Sequence, residues 1–301
     1  MKRIDYLKVA RPDWNLKKKY FKVDLSRNVN FDKNIHSKVK KIIIKNKKSI
    51  LNYGEPVEIY KSISNYYKIP ISNLSIGFGA TDIINRLLKI IDVRKVYIVK
   101  PSFEATEVYC KINNIKPIII DRKNIYSINR KNSAIYIVNP NGNDGTSIKI
   151  DNKIFQMYKY VIIDEVYGEF YPRNSLINKN HKRLVIIKSL SKSLGLAGIR
   201  VGFCKSSTVL TKKIQAVRLS QVCNSFASLV VPKIIGSTKE FVKRMNTSKR
   251  YLEKKYPCAN SFSNYVLFKK SNNLTKKCGF KKVNGFFRMA LADIHTLKSN
   301  E

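Results

Sequence analysis

Short, nearly continuous apolar runs recur along the first two thirds of the chain: Val96-Tyr97-Ile98-Val99, Pro117 to Ile120, Ala134 to Val138, Tyr160 to Ile163 and Leu184 to Ile187. Each is bounded by polar residues or proline and none alternates, which is how strands buried on both faces of a parallel sheet read. Between them, Thr81 to Ile91 carries Ile83, Ile84, Leu87, Leu88 and Ile91 at helical spacing, with Thr81 as the predicted N-cap. Strands alternating with helices predict an α/β domain built on a mostly parallel sheet flanked by helices. After about residue 205 the texture changes to longer basic amphipathic stretches, with two more predicted strands, Tyr265 to Phe268 and Phe286 to Leu291. A smaller α+β domain is therefore expected at the C-terminal end. No repeat and no low-complexity linker interrupts the pattern.

Composition sharpens this picture in one respect. The 301 residues are 44% hydrophobic, an ordinary globular share, but Lys+Arg 59 against Asp+Glu 20 gives a formal charge of +39. Dense lysine is what a phosphate backbone attracts. Here, however, the lysines run along the whole chain, in Lys17-Lys18-Lys19, Lys38 to Lys48, Lys212-Lys213, Lys269-Lys270 and Lys281-Lys282. The chain is also rich in Ile, Asn, Tyr and Phe, which share A/T-rich codons with lysine. The charge is read as compositional, and specific nucleic-acid binding is not expected; the field still favours anionic ligands. Five scattered cysteines without a C-x-x-C, and the distant His36, His181 and His295, exclude a disulfide scaffold, a zinc finger and a His-based metal site. No apolar run reaches membrane-spanning length, and Met1-Lys2-Arg3-Ile4-Asp5 lacks the apolar segment of a signal peptide. A soluble, reduced, cytoplasmic protein is expected.

The segment richest in chemistry is Ser189-Leu190-Ser191-Lys192-Ser193-Leu194-Gly195-Leu196-Ala197-Gly198-Ile199-Arg200-Val201-Gly202. A lysine follows a predicted buried strand, flanked by hydroxyls, with an arginine eight residues on. A lysine amine forms a Schiff base with a carbonyl, while hydroxyls and an arginine suit a phosphate monoester. The glycines let backbone N–H groups approach that phosphate. No G-x-x-x-x-G-K-[ST] is present, so this is not a P-loop.

The segment resembles the cofactor-lysine signature of fold-type I pyridoxal-phosphate enzymes, specifically the class I/II aminotransferases. The likeness is greatest to histidinol-phosphate aminotransferases and threonine-phosphate decarboxylases, and it runs in order from about residue 24 to 293. It implies pyridoxal 5'-phosphate as cofactor and Lys192 as its Schiff-base partner. Val161-Ile162-Ile163-Asp164-Glu165-Val166-Tyr167 resembles the family's strand ending in Asp-Glu-x-Tyr. The resemblance gives Asp164 an ion pair with the pyridine nitrogen and Tyr167 a hydrogen bond to the ring hydroxyl. Gly77-Phe78-Gly79-Ala80-Thr81 is similar to the family's glycine loop opening a helix, which implies a phosphate seat on Ala80 and Thr81 beside Ser189, Ser191 and Arg200. Phe103 takes the place of the aromatic that stacks on the ring.

Asn139-Pro140-Asn141-Gly142-Asn143-Asp144-Gly145-Thr146 resembles the family's Asn-Pro-Asn-Asn-Pro-Thr-Gly turn but departs from it. The asparagine that meets the ring hydroxyl aligns with Gly142, leaving Asn141 and Asn143 on either side, with Asn141 favoured. Asp24 to Phe31 resembles the N-terminal arm that closes over substrate, which implies a substrate contact for Asn28. Leu51-Asn52-Tyr53-Gly54-Glu55-Pro56 resembles the segment whose tyrosine crosses to the phosphate of the other subunit, implying a homodimer in which Tyr53 completes the partner's site. Gly285-Phe286-Phe287-Arg288-Met289-Ala290 resembles the small-domain strand whose arginine grips the substrate carboxylate. The resulting division is an arm over 1–30, a large cofactor domain over 31–205 and a small substrate domain over 206–301, shorter than the family's. The implied reaction moves an amino group between a small amine donor and a keto acceptor. Two readings stand beside it: decarboxylation of a phospho-amino acid on the same fold, and a basic nucleic-acid-binding protein on a retired scaffold.

Overall fold

The computed structural model describes residues 21, 23–127 and 130–301. Lys17-Lys18-Lys19 and the first part of the predicted arm, residues 1–20, lie outside the described residues. Seven strands form the main sheet: β1 (Leu74–Phe78), β2 (Lys95–Lys100), β3 (Lys116–Asp121), β4 (Arg130–Val138), β5 (Tyr158–Asp164), β6 (Leu184–Ser189) and β7 (Val201–Lys205). Their order is β1-β7-β6-β5-β4-β2-β3, all parallel except β7, which runs against both neighbours.

The continuous apolar runs of β4, β5 and β6 divide by parity between two layers. Ala134, Tyr136, Val138, Ile162, Val185 and Ile187 pack on one side against Ile83, Ile84, Leu87 and Leu88. Ile135, Ile137, Val161, Ile163, Leu184 and Ile186 pack on the other against Ile154 and Phe155. This is the double burial that non-alternating runs predict. The longer helices are α1 (Lys33–Lys45), α2 (Val57–Tyr67), α3 (Ala80–Ile90), α4 (Ala105–Ile112), α5 (Thr208–Ala216), α6 (Ser225–Ile234) and α7 (Thr238–Lys255); α3, α4 and α5 pack in the first layer, and the short helix Ile154–Met157 in the second.

Three details differ from the sequence reading. β3 is an edge strand with one neighbour, so Ile119 is 45% exposed and Pro117 costs no ladder bond that a central strand would need. β1 and β7 carry no continuous apolar run because Gly77 and Gly202 interrupt them. At Gly202 a Cβ would lie 2.2 Å from the Ala80 amide nitrogen, so glycine is what lets β7 pass under the start of α3. And the cap of α3 lies two residues early: Gly79 is its N-cap, at φ 84, and Thr81 sits inside the first turn. No side chain caps this helix; Asp82, in the first turn, instead accepts from the Phe78 N–H of the strand end at 2.9 Å.

A second, antiparallel sheet of four strands follows, in the order β10-β11-β9-β8, with β8 (Cys258–Ala259), β9 (Tyr265–Phe268), β10 (Lys281–Val283) and β11 (Phe286–Ala290). The N-terminal segment is sewn to it. The Leu25 N–H donates to the Cys278 carbonyl (2.8 Å), the Ala290 N–H to the Leu25 carbonyl (3.0 Å), and Phe31 bridges Ala292. One hydrophobic cluster joins the sheets, with Ile76 and Phe203 at one end and Val266, Phe268 and Met289 at the other.

Candidate active site

In an open parallel sheet the C-terminal strand ends face a crevice, and ligands bind there. β1 ends at Phe78, β4 at Val138, β5 at Asp164 and β6 at Ser189, and the antiparallel β7 begins there, just after Arg200. A cavity of about 590 Å³ opens at this edge. Lys192, Asp164, Tyr167, Ala80, Thr81, Phe103, Ser189, Ser191, Arg200, Arg288 and Asn28 all line it. These include residues more than two hundred and fifty positions apart in sequence, gathered by the sheet and by the arm.

Phosphate-type chemistry is concentrated at one end. Ser189 caps the short turn Leu190–Ser193, its Oγ accepting from the Ser191 N–H at 3.2 Å. Arg200 occupies the left-handed region at φ 59; its Nη1 donates to the Ala197 carbonyl (3.0 Å) and its Nη2 to the Phe78 carbonyl (3.4 Å). That guanidinium lies over Gly79, where a Cβ would come within 2.4 Å of Nη2. Ala80 and Thr81, in the first turn of α3, where backbone N–H groups have no intrahelical partner, line the same cavity.

Lys192 stands at the centre. Its Nζ donates to the Asn28 backbone carbonyl at 2.6 Å. Burial, then the positive charges of Arg288 and Arg200, lower its proton affinity to a pKa of about 8, from an ordinary 10.5. Such an amine gives up its proton readily near neutral pH, as a nucleophile must. Asp164 is 4% exposed. Burial pushes its pKa up to about 6, against the opposing pull of hydrogen bonds from Tyr136 and the Val166 N–H and a small upward push from Glu165. The Val166 N–H donates to Oδ1 at 3.1 Å and the Tyr136 hydroxyl donates to Oδ2. Tyr167 is buried and its hydroxyl stays protonated, with a pKa of about 12; it accepts from the Asn28 side-chain amide at 3.0 Å.

At the far end Arg288, on β11, is 7% exposed and donates from Nη1 to the Gly142 carbonyl at 2.7 Å. Its Nε has no partner, and neither does Asn28 Oδ1 nor Ser102 Oγ. On residues lining one cavity, Arg288 Nε and Ser102 Oγ can donate to an anionic group, while Asn28 Oδ1 can accept from an N–H or O–H of the same ligand. Lys281, directly across from Arg288 in the β10–β11 pairing, lines the cavity too.

Two expected residues lie elsewhere. Asn141 is occupied with its own turn: Nδ2 donates to the Pro101 carbonyl (2.6 Å) and Oδ1 accepts from the Asn143 N–H (2.9 Å). It therefore faces away from the cavity, and Asn143 lines it instead, tied by Nδ2 to the Ser102 carbonyl at 2.8 Å. Between them Gly142 leaves room for Tyr167, whose ring would meet a Cβ at 2.4 Å. Tyr53 is 78% exposed and does not line the cavity of its own chain. Sequence reasoning missed Tyr136, Ser102 and Lys281. Tyr136 sits inside an apolar run, and only the strand register, which pairs it with Ile162, shows it shares a face with Asp164.

A lysine, a strand-end aspartate, and serines and an arginine gathered at one edge of this sheet are the arrangement of the fold-type I class of pyridoxal-phosphate enzymes. A family model described as aminotransferase class I and II matches residues 21–259. The chain belongs to that family, whose cofactor is pyridoxal phosphate. It is 30% identical over 244 residues to histidinol-phosphate aminotransferase of Buchnera aphidicola subsp. Schizaphis graminum, covering 71% of this chain and 69% of that one. It is 24% identical over 205 residues to the enzyme of that name from Thermococcus kodakarensis, covering 64% of this chain. The chain spans 61% of the length of that relative. Histidinol-phosphate aminotransferase from Sinorhizobium meliloti, solved in complex with pyridoxal-5'-phosphate, superposes with a TM-score of 0.73 over 93% of this chain and 89% of its own, at 13% identity. At that identity the likeness concerns the fold. Among the described residues no group of His, Cys, Asp and Glu is placed to hold a metal ion, and no helix is long and apolar enough to cross a membrane.

Proposed function

We propose that this chain transfers an amino group between a small amine donor and a keto acceptor, with Lys192 as the residue that carries pyridoxal phosphate. The observation that carries the reading is the Lys192 amine: buried, with a lowered proton affinity, in one cavity with Asp164 and Arg200. When bound, the cofactor supplies an electron sink that lets a proton leave the carbon bearing the amine. The chain's residues do the rest. Ser189, Ser191, Arg200 and the N–H groups of Ala80 and Thr81 hold the phosphate. Asp164 supplies a carboxylate for a protonated ring nitrogen, Tyr167 a hydroxyl for the ring oxygen, and Phe103 an aromatic face. The Lys192 amine would take the proton from the substrate carbon that bears the amine and return it to the cofactor carbon on the other side of the nitrogen, two atoms away. Arg288 holds the substrate's carboxylate, or the phosphate of a phosphorylated amine, with Asn28 of the arm beside it.

Supporting a two-fold dimer, Ile50, Leu51 and Tyr53, within four consecutive positions, are 70%, 81% and 78% exposed. In this reading Tyr53 completes the partner's phosphate site. Segment 206–301 serves as the substrate-side domain, with the arm folded onto it. The five thiols, all unpaired, fit a reducing cytoplasmic setting, and the amino-acid relatives favour a biosynthetic role.

The test is reduction of the cofactor-loaded protein with borohydride, followed by peptide mapping, alongside a donor and acceptor screen that also records carbon dioxide. Pyridoxyl label on Lys192 and amino transfer without gas support the proposal. Carbon dioxide release would replace it with a phospho-amino-acid decarboxylase, and no cofactor uptake would remove it.

A further inference from the structure

We propose that Tyr136 is a positioning residue for Asp164, its buried hydroxyl clamping one carboxylate oxygen while the Val166 N–H clamps the other. The proposal rests on the reading of Asp164 as the partner of the cofactor's ring nitrogen.

Tyr136 is 1% exposed, in the layer of Ile98, Ile162, Val185 and Ile187 under α3 and α4. Nothing about filling that space requires a hydroxyl; phenylalanine has nearly the same shape and leaves no polar atom to bury. The hydroxyl is instead spent on Asp164: it donates to Oδ2, while Oδ1 takes the Val166 N–H at 3.1 Å. Parity permits this. Tyr136 pairs with Ile162 across β4 and β5, and Asp164 is two residues further along β5, on the same face. Held at both oxygens, the carboxylate has one orientation, and both donors favour its charged form.

The groups facing the pair do not replace that effect. From α4, the Cys110 thiol is pushed up to about 12 by burial and is neutral, and Thr106 carries no charge. From the strand end, Tyr167 is neutral, and Glu165 is engaged by the Ser175 hydroxyl, the Leu176 N–H and Lys188 at 3.5 Å. Tyr136 itself stays protonated, because burial and then the Asp164 charge raise its proton affinity well above the ordinary value. It is a permanent donor.

The sign of the consequence follows. Without the hydroxyl, the Asp164 carboxylate binds a proton more tightly, so the proton shared with the ring nitrogen moves to the aspartate. The nitrogen then loses its proton at lower pH. The experiment uses holoenzyme reconstituted with pyridoxal phosphate labelled with ¹⁵N in the ring, and follows the nitrogen signal against pH. Tyr136→Phe should lower the pH at which the nitrogen deprotonates by about one unit, and weaken cofactor binding about tenfold, the scale of one hydrogen bond to a charged group. 3-Fluorotyrosine introduced at position 136, a stronger donor of unchanged shape, should shift the same transition upward. In an Asp164→Asn background Tyr136→Phe should change neither quantity.

If the Phe variant does not fold, the fluorinated protein decides alone. Wild-type nitrogen titration in the folded variants would overturn the role of Tyr136 while leaving cofactor binding intact. Failure of the wild-type protein to take up cofactor would instead overturn the underlying reading, and this inference with it.

Discussion

The two ends of the cavity are built in different ways. At the phosphate end, Ser189, Ser191, Lys192 and Arg200 fall within twelve consecutive positions on one strand–turn–strand segment, and Ala80 and Thr81 come from the next strand end. At the substrate end, contacts join distant parts of the chain: Asn28 reaches Tyr167 across 139 positions, and Arg288 reaches Gly142 across 146. The first end is held by short local geometry and the second by closure of the arm and the small sheet onto the large one. Cofactor handling should therefore survive changes that disturb substrate handling, with two links between them: the charge of Arg288 acting on Lys192, and the hydrogen bond from Lys192 to the Asn28 carbonyl.

The most severe way to break the first end is Lys192→Ala. On the proposed reading it removes both the attachment point and the proton carrier, and turnover should fall by about 10³-fold or more while the fold persists, measured by single-turnover spectroscopy and melting. Asp164→Asn keeps the cavity's shape but gives up the charge. Cofactor should still bind, and turnover should drop by roughly 10 to 150-fold, the equivalent of one charge-assisted bond. Full activity in that variant would leave the ring nitrogen without a partner in this chain.

Arg288→Gln tests the second end. Its KM should rise by about tenfold or more, the cost of a lost bidentate carboxylate grip, with a smaller change in kcat. It also tests the first of the two links between the ends. The rate of cofactor capture by the apo protein should rise with pH through about 8, where the Lys192 amine loses its proton. Removing the Arg288 charge should move that inflection upward. The same group affects stability with a definite sign. Its folded pKa lies below its unfolded one, so between about 8 and 10.5 the unfolded chain binds more protons. The apo fold should gain stability as pH rises through that window, and Lys192→Met should abolish the gain. An inflection unchanged in Arg288→Gln would mean that the charge of Arg288 does not link the two ends.

Tyr53→Ala is expected to have the smallest effect, a loosening of cofactor by about tenfold, the scale of one hydrogen bond to a charged group. Mixed with Lys192→Ala and refolded, it should regain activity, up to half of the heterodimer fraction, because one site then carries both intact residues. No recovery, despite proven heterodimers, would place Tyr53 outside the partner's site.

This contrast also explains what the sequence made legible. Asp164 and Lys192 could be read because each stands at or shortly after the point where an apolar run stops; Ala80 and Arg200 were legible only through the likeness of their segments to the family's motifs. β1 and β7 could not be read as strands, since Gly77 and Gly202 interrupt them for close backbone passage. The early start of α3 escaped because its cap is a glycine at positive φ with Asp82 reaching back. The resemblance left Asn141 and Asn143 both open, with Asn141 favoured; which amide lines the cavity depends on the Pro101 and Ser102 carbonyls of a neighbouring loop, and nothing in the turn's own residues encodes that. Tyr136 was hidden by register, and Lys281 by a chain so rich in lysine that one more carries no signal.

Gly142 has a steric consequence. The Tyr167 ring rests against a residue with no side chain, 2.4 Å from where a Cβ would begin. An asparagine placed at 142 would run into that ring, so the ring would have to shift and strain its bond to Asn28. The bare backbone at 142 and the present place of the tyrosine thus belong together: neither can be altered without disturbing the other.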